Sequence, residues 1–217
     1  MSAKSGVYVN KRDDVLDVIS GFVKKDDVIL DVGCGTGDFG ELLKGNSTVE
    51  VWGVEPVEKA AEQAENKLDG VFRGFFSEGA SIPDNHFDII TFNDSLEHFP
   101  DPFPPLRLAK KKLRPGGVVV SSIPNVRYIS NVKHFLFDKD WKYEDKGILD
   151  RTHLKFFTKK SMLRTYKEAG YEVLDIQGVN PHRWNLMGIL FLRLVAGKFI
   201  EDMKYLQYVV VARPIQK

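Results

Sequence analysis

Residues 29–40, with the sequence ILDVGCGTGDFG, combine glycines and carboxylates in a pattern that could bind a nucleotide-type cofactor. Glycines directly after an apolar run allow a tight strand-to-helix turn and let a ligand approach the backbone closely. Gly35, Gly37 and Gly40 fit G-x-G-x-x-G, the dinucleotide fingerprint. A second pattern, D-x-G-x-G-x-G, begins at Asp31 and shares two of these glycines. The spacing alone therefore leaves two kinds of cofactor open.

Two carboxylates near this loop indicate which groups the cofactor carries. Asp31 lies two residues before Gly33, where it would repel a pyrophosphate and favour a cation such as the ammonium of an amino acid. Glu55 ends the next apolar run, eighteen residues after Gly37, and can accept hydrogen bonds from both hydroxyls of a ribose. A nicotinamide-dependent oxidoreductase is therefore the less favoured interpretation.

The elements that must position these residues alternate between strands and helices. Short apolar runs predict seven strands, at residues 28–32, 49–55, 71–76, 87–94, 118–124, 171–179 and 207–214. Helical spacing and capping signals predict helices at residues 11–24, 38–44, 56–68 with Pro56 in the first turn, 101–117 including its Pro-Gly-Gly stop, and 158–169 with Thr158 as N-cap. We expect an α/β fold in three layers, a doubly wound and mostly parallel seven-stranded sheet with ligands at the carboxyl ends of its strands.

The chain is predicted to be a single domain over residues 1–217, and two segments interrupt the alternation. Residues 125–157 follow the fifth strand, where an acceptor would enter, and are predicted to form an acceptor-side lid. The alternative is a helical packing insert with a solvated, charged face. Residues 180–205 are predicted to form a helical insert before the last strand.

Four motifs occur in a fixed order: LDVGCGTG, VWGVEP, IPDNHFDIITFNDSLEHFPDP and LRPGGVVVSSIPN. Over about residues 28–124 the chain thereby resembles class I S-adenosylmethionine-dependent methyltransferases. The resemblance implies a Rossmann-like methyltransferase fold whose last strand is antiparallel. It also implies S-adenosylmethionine as the cofactor, with S-adenosylhomocysteine as its product.

The same resemblance implies a role for each cofactor-binding position. Asp31 and Asn93 are expected beside the methionine part, Glu55 at the ribose hydroxyls and Pro56 at the adenine. The loop that wraps the cofactor is expected to include Gly33, Cys34, Gly35 and Gly37, with Cys34 as a small packing residue. Where the family often has an acid for the adenine amino group, this chain has Phe75, Phe76 and Ser77. The adenine is then expected to be bound by backbone groups and by packing against Phe side chains, or by Ser77 and Glu78.

A second resemblance concerns the acceptor. Residues 147–173, GILDRTHLKFFTKKSMLRTYKEAGYEV, and SIPNVRY at 122–128 are similar to methyltransferases of bacterial polysaccharide and lipid biosynthesis clusters. It implies a small-molecule acceptor, with a hydroxyl of a sugar or sugar-linked intermediate of surface-glycan synthesis as the leading prediction. The alternatives are a lipid or quinone-type acceptor and a non-catalytic cofactor-binding subunit.

Histidines are the candidate bases, because a hydroxyl acceptor is helped by a general base that titrates near neutral pH. His153, with Asp150 and Arg151 beside it, suits an acceptor that bears a hydroxyl and an anionic group. The alternative is that Asp150 pairs with Arg151 and His153 caps the next helix. His98 follows the fourth strand and either faces the acceptor or bonds backbone groups, and Glu97 is expected to orient it or anchor the turn.

Aromatic and charged residues of the lid are the candidate acceptor-binding residues. Arg127 and Tyr128 lie just after the fifth strand, and Trp141 and Tyr143 follow in the same segment. Together with Asp150 and Arg151 they suit a polar small molecule.

Composition excludes several other functions. Among 217 residues, 31 basic and 30 acidic side chains give a net charge of +1, so no nucleic-acid partner is predicted. Cys34 is the single cysteine, which excludes an intrachain disulfide and a cysteine-built zinc site; no metal is predicted. No signal peptide or spanning helix is predicted, so a cytoplasmic enzyme is expected. The apolar segment 182–203 is assigned, in order of preference, to packing, a homodimer surface or lipid contact.

Overall fold

The protein is built on one seven-stranded sheet. A computed structural model describes residues 12–182 and 197–215. Its strands are β1 (Val28–Val32), β2 (Glu50–Glu55), β3 (Gly70–Arg73), β4 (Phe87–Asn93), β5 (Leu113–Pro124), β6 (Tyr171–Pro181) and β7 (Tyr205–Pro214). The strand order is β3-β2-β1-β4-β5-β7-β6. All pairs are parallel except those of β7, which is antiparallel to β5 and β6. This confirms the predicted doubly wound, mostly parallel sheet with an antiparallel last strand.

Helices cover the sheet on both faces. They are α1 (Asp13–Ile19), α2 (Asp38–Asn46), α3 (Glu58–Ala64), α4 (Phe103–Lys112), α5 (Ile129–Lys133) and α6 (Lys159–Glu168). The central strand β1 is buried along its whole length, because alternate side chains enter two separate cores. Leu30 packs in the core that contains Met162 of α6, whereas Ile29 packs in the core that contains Leu43 of α2.

Several predicted boundaries are wrong for local reasons. Pro56 is not in the first turn of α3, because Val57 is the extended N-cap and the helix begins at Glu58. Strand β3 ends at Arg73 rather than residue 76, since Gly74 turns the chain at φ 126°. Strand β5 already begins at Leu113, which pairs with Phe87 across a register shift, so the Pro-Gly-Gly segment lies within the strand.

The segment predicted to be a lid, residues 125–157, leaves the carboxyl end of β5 and returns before α6; it is called the lid below for its position. It contains α5 and a π-helical turn at His134–Asp138, and a parallel bridge joins Asn125 to Phe157. Phe135 and Phe137 are exposed there rather than packed. Of the predicted insert at residues 180–205, residues 183–196 lie outside the described part, and Gly197–Lys204 form a 3-10 helix. Among the described residues, no helix is long and apolar enough to cross a membrane.

Candidate active site

The glycine loop after β1 adopts a backbone that side chains disfavour. Gly33, Gly35 and Gly37 have φ values of 79°, 54° and 79°, in the left-handed region. A Cβ at Gly33 would lie 2.9 Å from Cβ of Ser95, and one at Gly37 would lie 3.0 Å from Cα of Ala64. A Cβ at Gly35 would meet no described atom within 4 Å. The two outer glycines therefore allow close packing, and Gly35 leaves bare backbone beside an open space that a ligand can fill.

Glu55 at the end of β2 holds this loop in place. Its Oε2 accepts a hydrogen bond from the backbone N–H of Gly35 at 2.9 Å, and its Oε1 accepts one from Val57 at 2.9 Å. Glu55 is buried, and Pro56 beside it is exposed. Each carboxylate oxygen can still accept a second bond, so the predicted role at the ribose hydroxyls is compatible with this loop contact.

Asp31 provides the buried carboxylate of the site. Its residue is 2% exposed, and its Oδ1 accepts a hydrogen bond from Thr91 Oγ1 at 2.6 Å on the neighbouring strand β4. Burial raises the pKa of Asp31 to about 6, although the Thr91 bond and the Arg12 charge favour the ionised form. A cationic ligand would restore the ionised carboxylate.

Asn93 at the carboxyl end of β4 presents a second buried acceptor. Its side-chain Oδ1 is shielded from water and has no hydrogen-bond partner within residues 12–182 and 197–215. Buried polar atoms are normally paired, so an orphan oxygen here fits a ligand that brings a donor. The open backbone at Gly35, the carboxylate of Asp31 and this amide oxygen together fit the amino-acid end of S-adenosylmethionine.

Cys34 is a packing residue, as expected. Its side chain is buried, and it occupies the space that a Cβ on Gly53 of β2 would need. Burial, with Asp31 and Glu55 nearby, raises the pKa of the Cys34 thiol, so the thiol is not a nucleophile.

Sequence reasoning missed a polar network that closes the site behind Asn93. Asp94 adopts a left-handed conformation at φ 51° and pairs with the guanidinium of Arg12, just before α1. Arg12 Nη2 also donates to Ser122 Oγ at 2.6 Å, and Gln207 Nε2 donates to Asp94 Oδ1 at 2.5 Å. The network joins α1 to three strand ends. Arg12 carries no local motif that could have indicated this contact.

The two candidate bases, His98 and His153, come together at the end of β4. Their ring centroids are 4.8 Å apart, and Nε2 of His153 lies 3.9 Å from Oε1 of Glu97. Glu97 is 1% exposed, and neither carboxylate oxygen has a hydrogen-bond partner in the described parts of the chain. Burial, reinforced by the Asp94 carboxylate, raises the pKa of Glu97 well above its usual range.

The backbone of the lid fixes this cluster. The backbone N–H groups of Leu154 and Lys155 donate to the carbonyl of Glu97 at 2.9 and 3.0 Å. Glu97 therefore anchors the turn, as one prediction held, but its carboxylate faces His153. The idea that His153 caps the following helix is wrong, because Thr158 caps α6 in a capping box with Ser161.

The predicted acceptor-binding residues lie in the lid, but most of their charges have partners. Arg127 pairs with Asp202 at 2.7 Å, and Tyr128 Oη lies 2.9 Å from Nδ1 of His182. Arg151 pairs with Asp145 at 2.9 Å rather than with Asp150, whose Oδ1 accepts from the Thr152 backbone and hydroxyl. The two arginines are thus partly neutralised, which weakens the argument for an anionic acceptor.

An aromatic wall, formed by Phe135, Trp141, Tyr143 and Phe156, lines the lid next to His153. Trp141 and Phe156 have ring centroids 5.3 Å apart, and Phe156 lies 6.4 Å from the His153 ring. Phe135 contacts Trp141 at 6.0 Å, and Tyr143 contacts Phe156 at 6.3 Å. An apolar or aromatic part of an acceptor could pack against this wall.

Comparison with known proteins agrees with this geometry. Residues 10–176 match a protein family described as a methyltransferase domain. The chain belongs to this methyltransferase family. It is an S-adenosylmethionine-dependent enzyme, and this assignment favours neither the nicotinamide-dependent interpretation nor the non-catalytic subunit.

A sequence relative agrees with this family, and solved structures agree with the fold. A ubiquinone biosynthesis O-methyltransferase of Neisseria meningitidis is 29% identical over 163 residues, which are 71% of this chain and 67% of the relative. A methyltransferase structure from Archaeoglobus fulgidus has a TM-score of 0.66 at 22% identity, and the match covers 91% of this chain and 90% of that one. Phosphoethanolamine N-methyltransferase 2 of Haemonchus contortus, solved with S-adenosyl-L-methionine, has a TM-score of 0.65 at 14% identity; the match covers 94% of this chain and 53% of that one.

Proposed function

We propose that the protein transfers the methyl group of S-adenosylmethionine to a hydroxyl group of a small acceptor. The observation that carries this proposal is the cluster of Glu97, His98 and His153 at the end of β4, just after Asn93, which is expected to lie at the cofactor. A neutral amine acceptor already has a lone pair for attack, whereas a hydroxyl gains from a group that takes its proton. Titratable groups at this position, of which Glu97 is buried, therefore favour oxygen over nitrogen.

The reaction is an in-line displacement that depends mainly on alignment. The acceptor oxygen attacks the methyl carbon, the carbon–sulfur bond breaks, and its electron pair stays on the sulfur of S-adenosylhomocysteine. Nδ1 of His153 lies 3.0 Å from the carbonyl of Ile148, which can only accept, so Nδ1 carries the hydrogen and Nε2 has the lone pair. This lone pair can take the hydroxyl proton when no other group is bound to it.

An aromatic or quinone-type hydroxyl is the acceptor that we favour. The aromatic wall supports it, since planar apolar groups pack against aromatic rings. The relatives described as ubiquinone biosynthesis O-methyltransferases also support it. A sugar or sugar-linked hydroxyl is the second candidate, because the lid carries many polar side chains around the same wall. The cytoplasmic location and the homodimer stay predictions.

An acceptor panel tests the proposal. Purified protein is incubated with methyl-labelled S-adenosylmethionine and either catechol-type phenols, nucleotide sugars or primary amines. We expect methyl ethers on a hydroxyl acceptor, and a loss of at least about 100-fold in His153→Ala with cofactor binding retained. His86→Ala is the matched control, because His86 lies in a turn beside Phe87, away from the cluster. Methylation of amines alone would refute the oxygen assignment.

A further inference from the structure

Three side chains that commonly bind metal ions meet where β4 ends. Nε2 or Nδ1 of His98 and His153 and a carboxylate oxygen of Glu97 all lie within 4.8 Å of one another. Glu97 and His98 come from the 3-10 turn Leu96–His98, and His153 comes from the lid. The set contains two imidazoles and one carboxylate.

The hydrogen bonds of the two histidines indicate which ring nitrogen carries the lone pair. Nδ1 of His153 lies 3.0 Å from the carbonyl of Ile148, and Nδ1 of His98 lies 3.1 Å from the carbonyl of Thr152. A carbonyl only accepts, so both Nδ1 atoms carry the hydrogen and both neutral rings have their lone pair at Nε2. A backbone carbonyl that orients a histidine in this way is the usual outer-shell partner of a metal ligand.

In the described part of the chain, the cluster presents several acceptor atoms and no donor that faces them. Glu97 places two buried carboxylate oxygens there with no donor among the described residues, and Nε2 of His153 is a further acceptor 3.9 Å away. Arg12, a basic group near Glu97, is already engaged by Asp94 and Asp14. Acceptors that face one another in a buried site are costly unless a proton or a metal ion lies between them, and a metal ion between them would satisfy all three side chains at once.

We propose that Glu97, His98 and His153 bind one divalent first-row transition-metal ion, such as Zn²⁺ or Fe²⁺, through two Nε2 atoms and a carboxylate oxygen. Imidazole suits these ions, whereas Mg²⁺ and Ca²⁺ prefer sets made of oxygen alone. Bonds of about 2.0–2.2 Å place neighbouring ligand atoms about 3.3 Å apart in a tetrahedral site. The cluster therefore closes around the ion by rotation of the side chains, mainly that of the exposed His98.

A site with three protein ligands keeps a further position open, which is the arrangement of catalytic metal centres. If the proposed function holds, the acceptor hydroxyl takes this position and the ion lowers its pKa. The hydroxyl proton then passes to water, the bound oxygen attacks the methyl carbon, and the electron pair of the broken bond stays on sulfur. In this arrangement the two histidines are metal ligands rather than bases.

Metal binding is measured on the full chain without any acceptor. The protein is stripped with a chelator, titrated with Zn²⁺ by calorimetry and checked by elemental analysis; Co²⁺ binding is followed by its visible absorption. We expect one ion per chain, weakened at least about 10-fold in Glu97→Gln and in His153→Ala. His86→Ala should bind as the wild type does. Because Glu97 is buried, His98→Ala tests the same site at an exposed position, and the melting temperature of each variant shows whether it is folded.

Equal Zn²⁺ affinity in the wild type, His98→Ala and His153→Ala would overturn the site, and so would binding of Mg²⁺ with no binding of Zn²⁺ or Co²⁺. Other results would refute the proposed function while leaving the metal site intact. Zn²⁺ binding at these residues without methylation of any hydroxyl acceptor supports the metal site and refutes the reaction. An unchanged rate of hydroxyl methylation after chelation overturns the activating role of the ion.

Discussion

Asp31→Asn should move cofactor affinity and protein stability in opposite directions. The substitution keeps the shape of the side chain and an oxygen that can accept the Thr91 hydrogen bond, and it removes only the charge. Asp31 is buried, and its pKa is raised from 3.8 to about 6, chiefly by desolvation. The charge is therefore costly in the protein alone and useful only when a cation binds beside it.

The stability effect follows from the sign of this shift. The folded state holds the Asp31 proton up to about pH 6 and the unfolded state only up to 3.8, so stability falls as the pH rises through this window. The shift corresponds to about 3 kcal/mol at neutral pH. Asp31→Asn without cofactor should be more stable than the wild type at pH 7.5, by up to about 3 kcal/mol, and the difference should vanish towards pH 4.

The affinity effect has the opposite sign. Loss of one partner from a buried ion pair costs about 3–5 kcal/mol, so Asp31→Asn should bind S-adenosylmethionine at least about 100-fold more weakly. The wild type should lose affinity below pH 6 as Asp31 takes up its proton, about 11-fold at pH 5, and Asp31→Asn should show no such dependence.

Calorimetric titrations from pH 5 to 8 and urea unfolding at the same pH values measure both quantities. Asp17→Asn is the matched control, because Asp17 is exposed on α1. A wild-type affinity that stays flat from pH 5 to 8, or an Asp31→Asn variant that binds as tightly as the wild type, would refute the assignment of Asp31 to the cofactor ammonium.

Four further substitutions test the glycine loop, a helical glycine, a buried hydrogen bond and a helix cap. Gly35→Ala should cost about 1–2 kcal/mol of stability because of its positive φ, and should weaken cofactor binding by calorimetry because the new methyl group enters the open space. Gly45→Ala, in α2 with no described atom within 4 Å of the new Cβ, should instead raise stability by about 0.5–1 kcal/mol and leave binding unchanged. Tyr166→Phe should lower the urea midpoint by the equivalent of about 1–3 kcal/mol, since it leaves the buried Ser121 hydroxyl without its partner. An unchanged midpoint would mean that Ser121 repairs its hydrogen bond elsewhere. Thr158→Ala should cost about 1 kcal/mol in the same assay through the lost α6 cap, and equal stability would argue against the capping box.

The sequence by itself determined the fold class and the cofactor, and it predicted the residues around the cofactor. A buried central strand such as β1 shows as an unbroken apolar run, and a glycine loop followed by Glu55 is a local pattern along the chain. The loop and Glu55 meet in space because parallel neighbours β1 and β2 end at the same edge of the sheet. For these features, sequence order and sheet geometry together fix the neighbours.

Only the tertiary structure decided which distant side chains face each other. Glu97 and His153 belong to separate segments, and they meet because the lid returns to the end of β4 and its backbone bonds to Glu97. Arg12 reaches Asp94 because α1 packs beside the inserted strand β7. Arg127 and Arg151, predicted for an acceptor, pair with acids that no local pattern connects to them. Such contacts depend on the path of the whole chain, which periodicity and short motifs do not encode.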